Sequence, residues 1–476
     1  MGNIKLLTIG FTLAICSIFQ MGYNNAYVNT ATEEFKRLLN ESFKDRHVSM
    51  SESIYYWTWS AILNTWFVGF AMGSCLAIPI SNKLGRKSGL LVSNMGTIMS
   101  VAVMAVSIPI LSLELLALGR FMSAVSSGIA MSSLVVFLQE ISPLHLRGSM
   151  SFFAELAFVV TNACGSFAGM PIILGKNLVI LIAFAALPPL VAIFLLVAIY
   201  ETPIFLFAIK HNQTDAIKSL QFYQRIITKE DCLTFLNGNS GEQSETSFWT
   251  LIKELFQIPH LRKGLLLGFF ALQITCSIWA IIFYSTDFLI KSNISSSLAI
   301  IFSTIMLGVS VAATIIGFFV VEKFSRRKMF LYVSAINLLA LTLFWAFDQA
   351  RIIFDADFMK YFLVFALFLH GVTYSIATGP IAWFLVSELI PLPHRLLAQS
   401  LSLCANSVSA LILTLIVLPL YNAIGSHTIL ILLVLPAIAC MYYLYKELPE
   451  TRDKTPNEVV LALKKQTNYV DSIELK

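Results

Sequence analysis

QEISPLHLRGS (139–149) and SELIPLPHRLLAQS (387–400) are the two stretches that decide the fold, because the second repeats the first. Two further pairs of stretches repeat in the same order, roughly 240–250 residues apart: NKLGRK (82–87) with EKFSRRK (322–328), and YETP (200–203) with LPETRD (448–453). Three matched pairs in one order predict that the chain consists of two related halves with parallel topology.

The composition places the chain in a lipid bilayer. Of its 476 residues, 57% are hydrophobic and 12% are charged, whereas a soluble domain has about 25% charged residues. Lys and Arg in loops on one side of a membrane explain the net charge of +5, so we expect no nucleic-acid partner. The seven cysteines show neither metal-ligand spacing nor a paired framework, and we expect no metal and no cofactor.

Twelve apolar stretches are long enough to cross a bilayer as helices, which takes about 20 residues. They lie near 5–27, 57–80, 88–109, 112–138, 148–170, 175–198, 264–286, 297–320, 328–347, 361–387, 396–419 and 425–445. We therefore predict an all-α membrane protein whose twelve transmembrane helices form two parallel-related six-helix bundles. The predicted parts are bundles at 1–199 and 262–446, a cytoplasmic linker with short helices at 200–261, and a cytoplasmic tail at 447–476.

Basic residues predict the orientation of these helices. Two short basic loops, 83–87 and 323–328, fall on one side if the helices alternate, and the positive-inside bias makes that side cytoplasmic. Both termini and the linker then face the cytoplasm, and the plasma membrane is the expected location. The first external loop, 28–56, is long and polar, and its NES sequon makes Asn40 a glycosylation acceptor.

The ordered motifs resemble the sugar porter branch of the major facilitator superfamily, specifically animal facilitative glucose-transporter-like proteins. Besides NKLGRK, they are ALGRF (117–121), EISPLHLRGS (140–149), FYST (283–286), VVEKFSRR (320–327), GPIAWFLVSEL (379–389) and LPETRDKTPNEV (448–459). The resemblance covers nearly the whole chain and implies the major facilitator fold. We expect no enzymatic activity, because HExxH and GxSxG motifs are missing from the spans.

Charged residues at helix ends on the inner face are candidates for a cytoplasmic gate. An arginine side chain offers a planar fork that can grip carboxylates of neighbouring helices, and such pairs can form in one conformation and separate in another. The resemblance implies that this latch favours the outward-open state; the alternative is that the charges only set topology. The set comprises Arg86, Glu140, Arg147, Glu201, Glu322, Arg326, Glu388, Arg395 and Glu450.

A hexose needs uncharged hydrogen-bonding groups and an aromatic face, and in transporters of this type it binds near the midplane between the halves. By resemblance, Trp383 matches the aromatic residue beside the sugar, and Asn406 matches an asparagine of helix 11. Gln273 matches the first glutamine of the helix 7 pattern QQLSGIN, whose second glutamine and asparagine are absent here.

Several positions depart from the family's hexose site and leave the substrate open. Ser310 replaces an asparagine of helix 8, and Ser375 replaces a glutamate of helix 10. Trp66 and Trp279 add bulk near the expected site. Glucose, fructose, a polyol or another small polar solute therefore remain candidate substrates, and the oligomeric state is unknown.

Glu155 lies inside an apolar span, MSFFAELAFVVTNACG (150–165), where an acid at a helix centre costs on the order of 2.5–3.5 kcal/mol. By resemblance it matches a helix 5 glutamine that bonds sugar hydroxyls, so we expect it to face the central cavity. A structural role, bonded to a neighbouring helix without a ligand, is the alternative.

The sequence of helix 1 predicts that transport is not coupled to protons. Proton-coupled relatives have an aspartate there, facing the helix 4 arginine; this chain has Arg120 but Asn24 at the acidic position. Since an amide does not titrate, facilitative uniport by alternating access is the favoured function. Proton symport through Glu155 and a non-transporting sugar sensor are the alternatives, and the short tail disfavours the sensor.

Overall fold

The computed structural model is helical, and its longest helices are long enough to cross the thickness of a bilayer. It describes residues 2–47, 51–143, 146–224, 228–239, 248–321, 323–391, 394–452, 454 and 458–466. Twelve helices in this part of the chain are long and apolar enough to cross a membrane. They are α1 (Ile4–Thr30), α2 (Trp57–Leu84), α3 (Arg86–Ser107), α4 (Leu113–Ile141), α5 (Arg147–Ala168), α6 (Leu178–Ala198), α7 (Pro259–Lys291), α8 (Ser296–Val320), α9 (Arg326–Ile353), α10 (Asp357–Leu389), α11 (Arg395–Ile424) and α12 (His427–Glu447).

The helices form two six-helix bundles, as the repeated motifs predict. Within the first bundle, α5 packs along α1, and α4 packs along both α2 and α3; within the second, α10 packs against α7 and α9. The bundles meet where α2 contacts α11 and where α5 contacts α8. Parallel duplication relates these two contacts, since α8 is the copy of α2 and α11 is the copy of α5.

Small residues bring α1 and α5 close together. A Cβ atom added at Gly165 would lie 2.5 Å from the carbonyl oxygen of Tyr23 and 2.8 Å from its Cα. An added Cβ at Gly22 would lie 2.7 Å from the carbonyl oxygen of Phe158. Such close backbone approach is typical of membrane helix interfaces, where tight packing replaces the hydrophobic effect. The crossing fixes the position of α5, which carries Glu155.

Four of the spanning helices, α6, α7, α10 and α12, are interrupted, and the breaks in α7 and α10 lie near the centres of those helices. Cys276 divides α7 into Pro259–Thr275 and Ser277–Lys291. In α10 a π turn, Tyr374–Thr378, separates Lys360–Thr373 from Gly379–Leu389. Pro380 follows the π turn and cannot donate a backbone hydrogen bond, which accounts for the local widening. The breaks in α7 and α10 lie close to the polar side chains described below.

The segments between spans contain more helix than the sequence alone suggests. The first external segment, expected as a polar loop, forms a helix at Thr32–Asp45, which buries Phe35, Leu38 and Leu39. Asn40 is exposed on this helix, and the Ser42 hydroxyl donates to the carbonyl oxygen of Leu111 at 2.6 Å. The linker holds short helices, as expected, at Pro203–Ala208, Gln213–Gln224, Lys229–Asn239 and Phe248–Gln257.

Candidate functional site

A cluster of aromatic rings lies where the two bundles meet. The Trp279 ring of α7 is 5.6 Å from Phe158 of α5 and 5.3 Å from Phe67 of α2, measured between centroids. Phe158 in turn lies 6.4 Å from Trp383 of α10. The indole nitrogen of Trp383 faces the hydroxyl of Tyr374 at 3.4 Å. We call these residues, together with the polar groups described next, the central cluster.

Glu155 belongs to this cluster and not to a lipid-facing surface, since only 1% of it is exposed. Its Oε1 atom would lie 2.9 Å from a Cβ at Gly379, and the Tyr374 ring 2.6 Å from the same point. The Tyr374 hydroxyl is a polar group that lies close to the Glu155 carboxyl group. Neither carboxyl oxygen, however, has a well-oriented hydrogen bond to the described residues. A buried acid in this condition has hydrogen-bonding capacity to spare.

Gln273 and Asn406 meet around a thiol that the sequence reasoning missed. Cys276 Sγ donates to Asn406 Oδ1 at 3.0 Å and lies 3.5 Å from Gln273 Oε1. The amide nitrogen of Gln273 and the indole nitrogen of Trp279 are buried without a partner among the described residues. Two buried donors and a buried acid in this part of the molecule therefore have unused hydrogen-bonding capacity.

The remaining predicted substrate residues lie at the edges of this region. Ser310 of α8 faces α10, where its hydroxyl would lie 3.0 Å from a Cβ at Gly371. Ser375 is buried in the π turn. Trp66 is buried in α2, but its ring contact is with Phe70 at 6.5 Å. Its neighbour Phe67, and not Trp66, touches Trp279.

Asn24 forms its hydrogen bonds with described residues of the first bundle. Arg120 donates from Nη1 to both the carbonyl and the side-chain oxygen of Asn24, at 3.2 Å each. The Tyr27 hydroxyl donates to the same side-chain oxygen at 2.5 Å, and the Asn24 amide donates to Ser123 Oγ at 3.3 Å. The arginine is therefore held by neutral groups, and its environment contains no titrating partner at position 24.

One charged network closes the end of the first bundle that carries Arg86, which we call the basic end. Arg86 Nη2 binds Glu140 Oε1 at 3.1 Å, and both side chains are at most 1% exposed. The Thr202 hydroxyl donates to the other oxygen of Glu140 at 2.5 Å. Glu201 accepts from the backbone nitrogen of Lys87 at 3.0 Å and so caps the first turn of α3.

The second bundle repeats this network at its own basic end. Arg326 binds Glu388 in a buried ion pair, as Arg86 binds Glu140. Glu450 accepts from the backbone nitrogens of Arg326 at 3.0 Å and Arg327 at 3.3 Å, and from the Ser325 hydroxyl, so it caps α9. The internal repeat of the sequence is thus a repeat of individual contacts.

The remaining gate residues connect the two networks. Arg147 and Arg395 each interact electrostatically with both Glu140 and Glu388. Both arginines begin their helices, α5 and α11, and both are buried. Glu322 lies outside the described residues. The arrangement allows the arginines of one half to respond to the carboxylates of the other.

The bundles touch on both sides of the central cluster. At the basic end, Gln139 donates to Ser387 Oγ at 2.7 Å and joins α4 to α10. At the opposite end, the Thr414 hydroxyl donates to Asn64 Oδ1 at 2.7 Å and joins α11 to α2. The two bundles are therefore hydrogen-bonded to each other on either side of the central cluster.

The caps Glu201 and Glu450 are equivalent by repeat, but their pKa values shift in opposite directions. Burial raises the pKa of Glu201 above its usual range, against the opposing backbone N–H groups of Lys87 and Thr202. Burial would also raise the pKa of Glu450, but the Ser325 hydroxyl and three backbone N–H groups outweigh it and hold that pKa below its usual range. Glu450 therefore stabilises the folded state above its unfolded pKa, and this contribution disappears as the pH falls through the folded pKa.

We expect Glu450→Gln to lower the free energy of unfolding by about 1 kcal/mol at neutral pH, the usual value of a charged cap. The difference from wild type should vanish in acid, because Glu450 is then protonated in both states. Glu201→Gln is the matched control and should cost less at neutral pH, since the folded state already disfavours the Glu201 charge. Unfolding midpoints of purified protein across a pH series measure both. Equal losses from the two variants would contradict the difference.

The sequence predicted Glu155, Gln273, Trp383 and Asn406 as site residues, but it did not predict the residues that lie between them. Phe158 lies one helical turn after Glu155, and Cys276 lies one turn after Gln273, so helical spacing was the available signal. Tyr374 adjoins Ser375, but a π turn aims it, and no spacing rule predicts that turn. Gln20 in the middle of α1 was also missed; both its amide atoms are buried without a described partner.

Comparison with known proteins gives matches over nearly the whole chain. A family model described as sugar (and other) transporter matches residues 9–461. The facilitated glucose transporter member 1 of solute carrier family 2 from Gallus gallus is 28% identical, with 94% of this chain and 91% of the relative covered. Member 9 from Mus musculus is 26% identical, with 98% and 86% covered.

Solved structures match the fold. The proton:xylose symporter XylE bound to 6-bromo-6-deoxy-D-glucose has a TM-score of 0.80 at 16% identity, and the match covers 96% of this chain and 99% of that one. The inward-open conformation of XylE from E. coli has a TM-score of 0.67, also at 16% identity, with 95% and 99% covered.

Proposed function

Because the chain belongs to the sugar (and other) transporter family, we propose that it carries a hexose or a similar small polyhydroxy solute by facilitated diffusion. The family match confirms the resemblance seen in the motifs, and the chain is a sugar transporter of the major facilitator superfamily and not an enzyme. The proposal concerns the solute, the uniport mechanism and the residues that carry them out.

Unused hydrogen-bonding groups in the central cluster are the observation that supports a polyhydroxy ligand. Glu155, Gln273 and Trp279 have buried polar atoms without described partners, at the contact between the two bundles. Leaving such atoms unpaired costs about 1–3 kcal/mol each, and solute hydroxyls would pair with them. The faces of Trp279, Trp383 and Phe158 supply the apolar surface against which a sugar ring packs.

The repeated networks at the basic end suit a gate for alternating access. Each ion pair, Arg86–Glu140 and Arg326–Glu388, lies within one bundle and keeps that bundle rigid. Arg147 and Arg395 act between the bundles, and so does the bond from Gln139 to Ser387. We infer that these contacts between bundles separate when the protein opens at the basic end.

Asn24 supports uniport. An acid opposite Arg120 would gain and lose a proton, whereas Asn24 is neutral and makes four hydrogen bonds: two from Arg120, one from Tyr27 and one to Ser123. We therefore expect sugar exchange to be independent of a pH gradient. An Asn24→Asp variant should bring gradient dependence with it, because a buried aspartate beside an arginine titrates.

Counterflow in proteoliposomes tests the proposed uniport. Vesicles containing purified protein would be loaded with unlabelled glucose, fructose or a polyol and diluted into the labelled compound, with and without a pH gradient. We expect exchange of one of these solutes at equal rates in both conditions. Accumulation that follows the gradient in the wild-type protein would overturn uniport, and exchange of none of them would favour a sugar sensor.

Proton symport is the second candidate, and the condition of Glu155 is the observation that favours it. Glu155 is 1% exposed and has no well-formed hydrogen bond to the described residues. Such an acid can hold a proton while the transporter is closed to both sides of the membrane. In that case Glu155→Gln would abolish gradient-driven accumulation and leave exchange intact. Loss of both would instead indicate a role in binding.

The placement of the chain in the cell follows from the same proposal. We infer that the basic end faces the cytoplasm together with both termini, and that the plasma membrane is the location. We propose that the chain is divided into bundles at 1–199 and 262–446, a linker at 200–261 and a tail at 447–476. Asn40, exposed on the helix at the opposite end, then faces outward and is the proposed glycan acceptor.

A further inference from the structure

The central cluster contains an acid but no cation to balance it. Helix α5 packs against α1, α4, α8 and α10, and no ion pair of Glu155 is formed with the described residues of any of these helices. The buried arginines of the first bundle, that of α5 itself included, are engaged elsewhere: Arg86 with Glu140, Arg120 with Asn24, and Arg147 with Glu140 and Glu388. A buried carboxylate without a cation is strongly unfavourable, so Glu155 either holds a proton or is balanced by a cation that arrives with the solute.

Aromatic rings surround the same position. Tyr374 touches Gly379 together with Glu155 and lies 3.4 Å from the Trp383 indole nitrogen. Phe158, one turn beyond Glu155 on α5, links the rings of Trp383 and Trp279. Rings attract a cation to their faces, and a carboxylate within a group of rings is the usual environment of a bound ammonium.

An amide would have sufficed for a neutral sugar. Hydroxyls bond equally well to a glutamine, which neither costs burial of a charge nor requires a counter-ion. The amides of Gln273 and Asn406, which both contact Cys276, already supply neutral hydrogen-bonding groups. A positive group on the solute would give the acid at position 155 a role that a glutamine cannot fill.

We propose that the transported solute bears an ammonium group beside its hydroxyls, as a hexosamine does, and that Glu155 and the rings of Tyr374, Trp279 and Trp383 hold this group. This inference rests on the proposed sugar transport and specifies its substrate. The amides of Gln273 and Asn406 then receive the hydroxyls on the other side of the sugar ring.

Competition against labelled glucose exchange tests the ammonium directly. Proteoliposomes would be challenged with unlabelled glucose, glucosamine, N-acetylglucosamine or choline, at a pH where the amine of glucosamine is protonated. We expect glucosamine to inhibit at a concentration roughly ten or more times lower than glucose does, the effect of one charge-assisted hydrogen bond. N-acetylglucosamine keeps the ring but loses the charge, and should show no such advantage. Choline keeps a positive charge but has no sugar ring and only one hydroxyl, and should be weak.

Three variants separate the charge of Glu155 from its shape. Glu155→Gln should abolish the advantage of glucosamine over glucose, whatever it does to the rate of exchange, and the unfolding midpoint of the purified variant shows whether it folds. Glu155→Asp should keep part of the advantage. Glu230→Gln, the same change at an exposed position of the linker helix Lys229–Asn239, should behave as wild type.

The outcomes distinguish this inference from the proposed function. Glucose exchange without any preference for glucosamine would overturn the inference and leave sugar transport standing. Choline as potent as glucosamine would overturn the hexosamine and indicate a simple organic ammonium. Exchange of glucosamine but not of glucose or other neutral sugars would support the inference and reject the neutral hexose as substrate.

Discussion

Replacing Arg86 with methionine is expected to lower the free energy of unfolding by about 3–5 kcal/mol, because it leaves the Glu140 carboxylate buried without its cation. Both side chains are at most 1% exposed, and only the Thr202 hydroxyl and the charges of Arg147 and Arg395 would remain near the carboxylate among the described residues. The loss should appear as a lower unfolding midpoint of the purified protein and as a lower yield of folded protein from membranes.

The second half of this test restores the balance of charge. Arg86→Met combined with Glu140→Leu should recover most of the loss, since an apolar pair of similar volume is often as stable as a buried ion pair. Arg37→Met is the control at the surface, where Arg37 pairs with Glu41 at 2.9 Å on exposed side chains. It should cost less than about 1 kcal/mol. A double variant as unstable as Arg86→Met would show that the arginine acts by packing and not by charge.

Gly165→Ala is expected to cost about 3 kcal/mol or more, the upper range for overpacking, although it adds a single methyl group. The new Cβ would lie 2.5 Å from the carbonyl oxygen of Tyr23 and 2.8 Å from its Cα. Backbone atoms cannot rotate away, so α1 and α5 would have to separate along their length. Because α5 carries Glu155 and Phe158, exchange should fall together with stability.

Gly308 is the matched control for this change. It lies in the middle of α8, and a Cβ added there meets nothing within 4 Å. The same glycine-to-alanine change should therefore be neutral or stabilising by about 0.5–1 kcal/mol, the helix propensity difference alone. Unfolding midpoints of the two variants, measured side by side, check the prediction. Similar effects at both positions would contradict the close crossing of α1 and α5.

Hydropathy and the repeated motifs were sufficient to predict the architecture. A helix that crosses lipid must satisfy its backbone internally over a fixed length, so twelve apolar stretches become twelve helices. The ends were less accurate: α4 reaches Ile141 where 138 was expected, and α11 runs to Ile424 where 419 was expected. Helix termini depend on capping contacts that hydropathy does not register.

The helix at Thr32–Asp45 was not anticipated, for a physical reason. Its composition is polar, and its apolar residues Phe35, Leu38 and Leu39 are spaced for one face only. That face is stabilised by packing on the ends of other helices, with Phe35 5.2 Å from Trp59. A contact made by distant parts of the chain cannot be read from the segment itself.

The candidate site was predictable in its members but not in its contacts. The resemblance supplied positions for Glu155, Gln273, Trp383 and Asn406, but Cys276 occupies the space between Gln273 and Asn406 only because α7 breaks there. The missing counter-ion of Glu155 likewise became visible only when the neighbouring helices were in place. Absence of a partner is a property of three-dimensional packing.

Ser42 sets a constraint on the order of biosynthesis. Its hydroxyl completes the NES sequon of Asn40, and the glycosylating enzyme has to reach that sequon. In the folded protein the hydroxyl is buried and bonded to Leu111, which lies between α3 and α4. Any glycan on Asn40 must therefore be attached while the chain is still being synthesised, before the loop after α3 emerges and covers the acceptor.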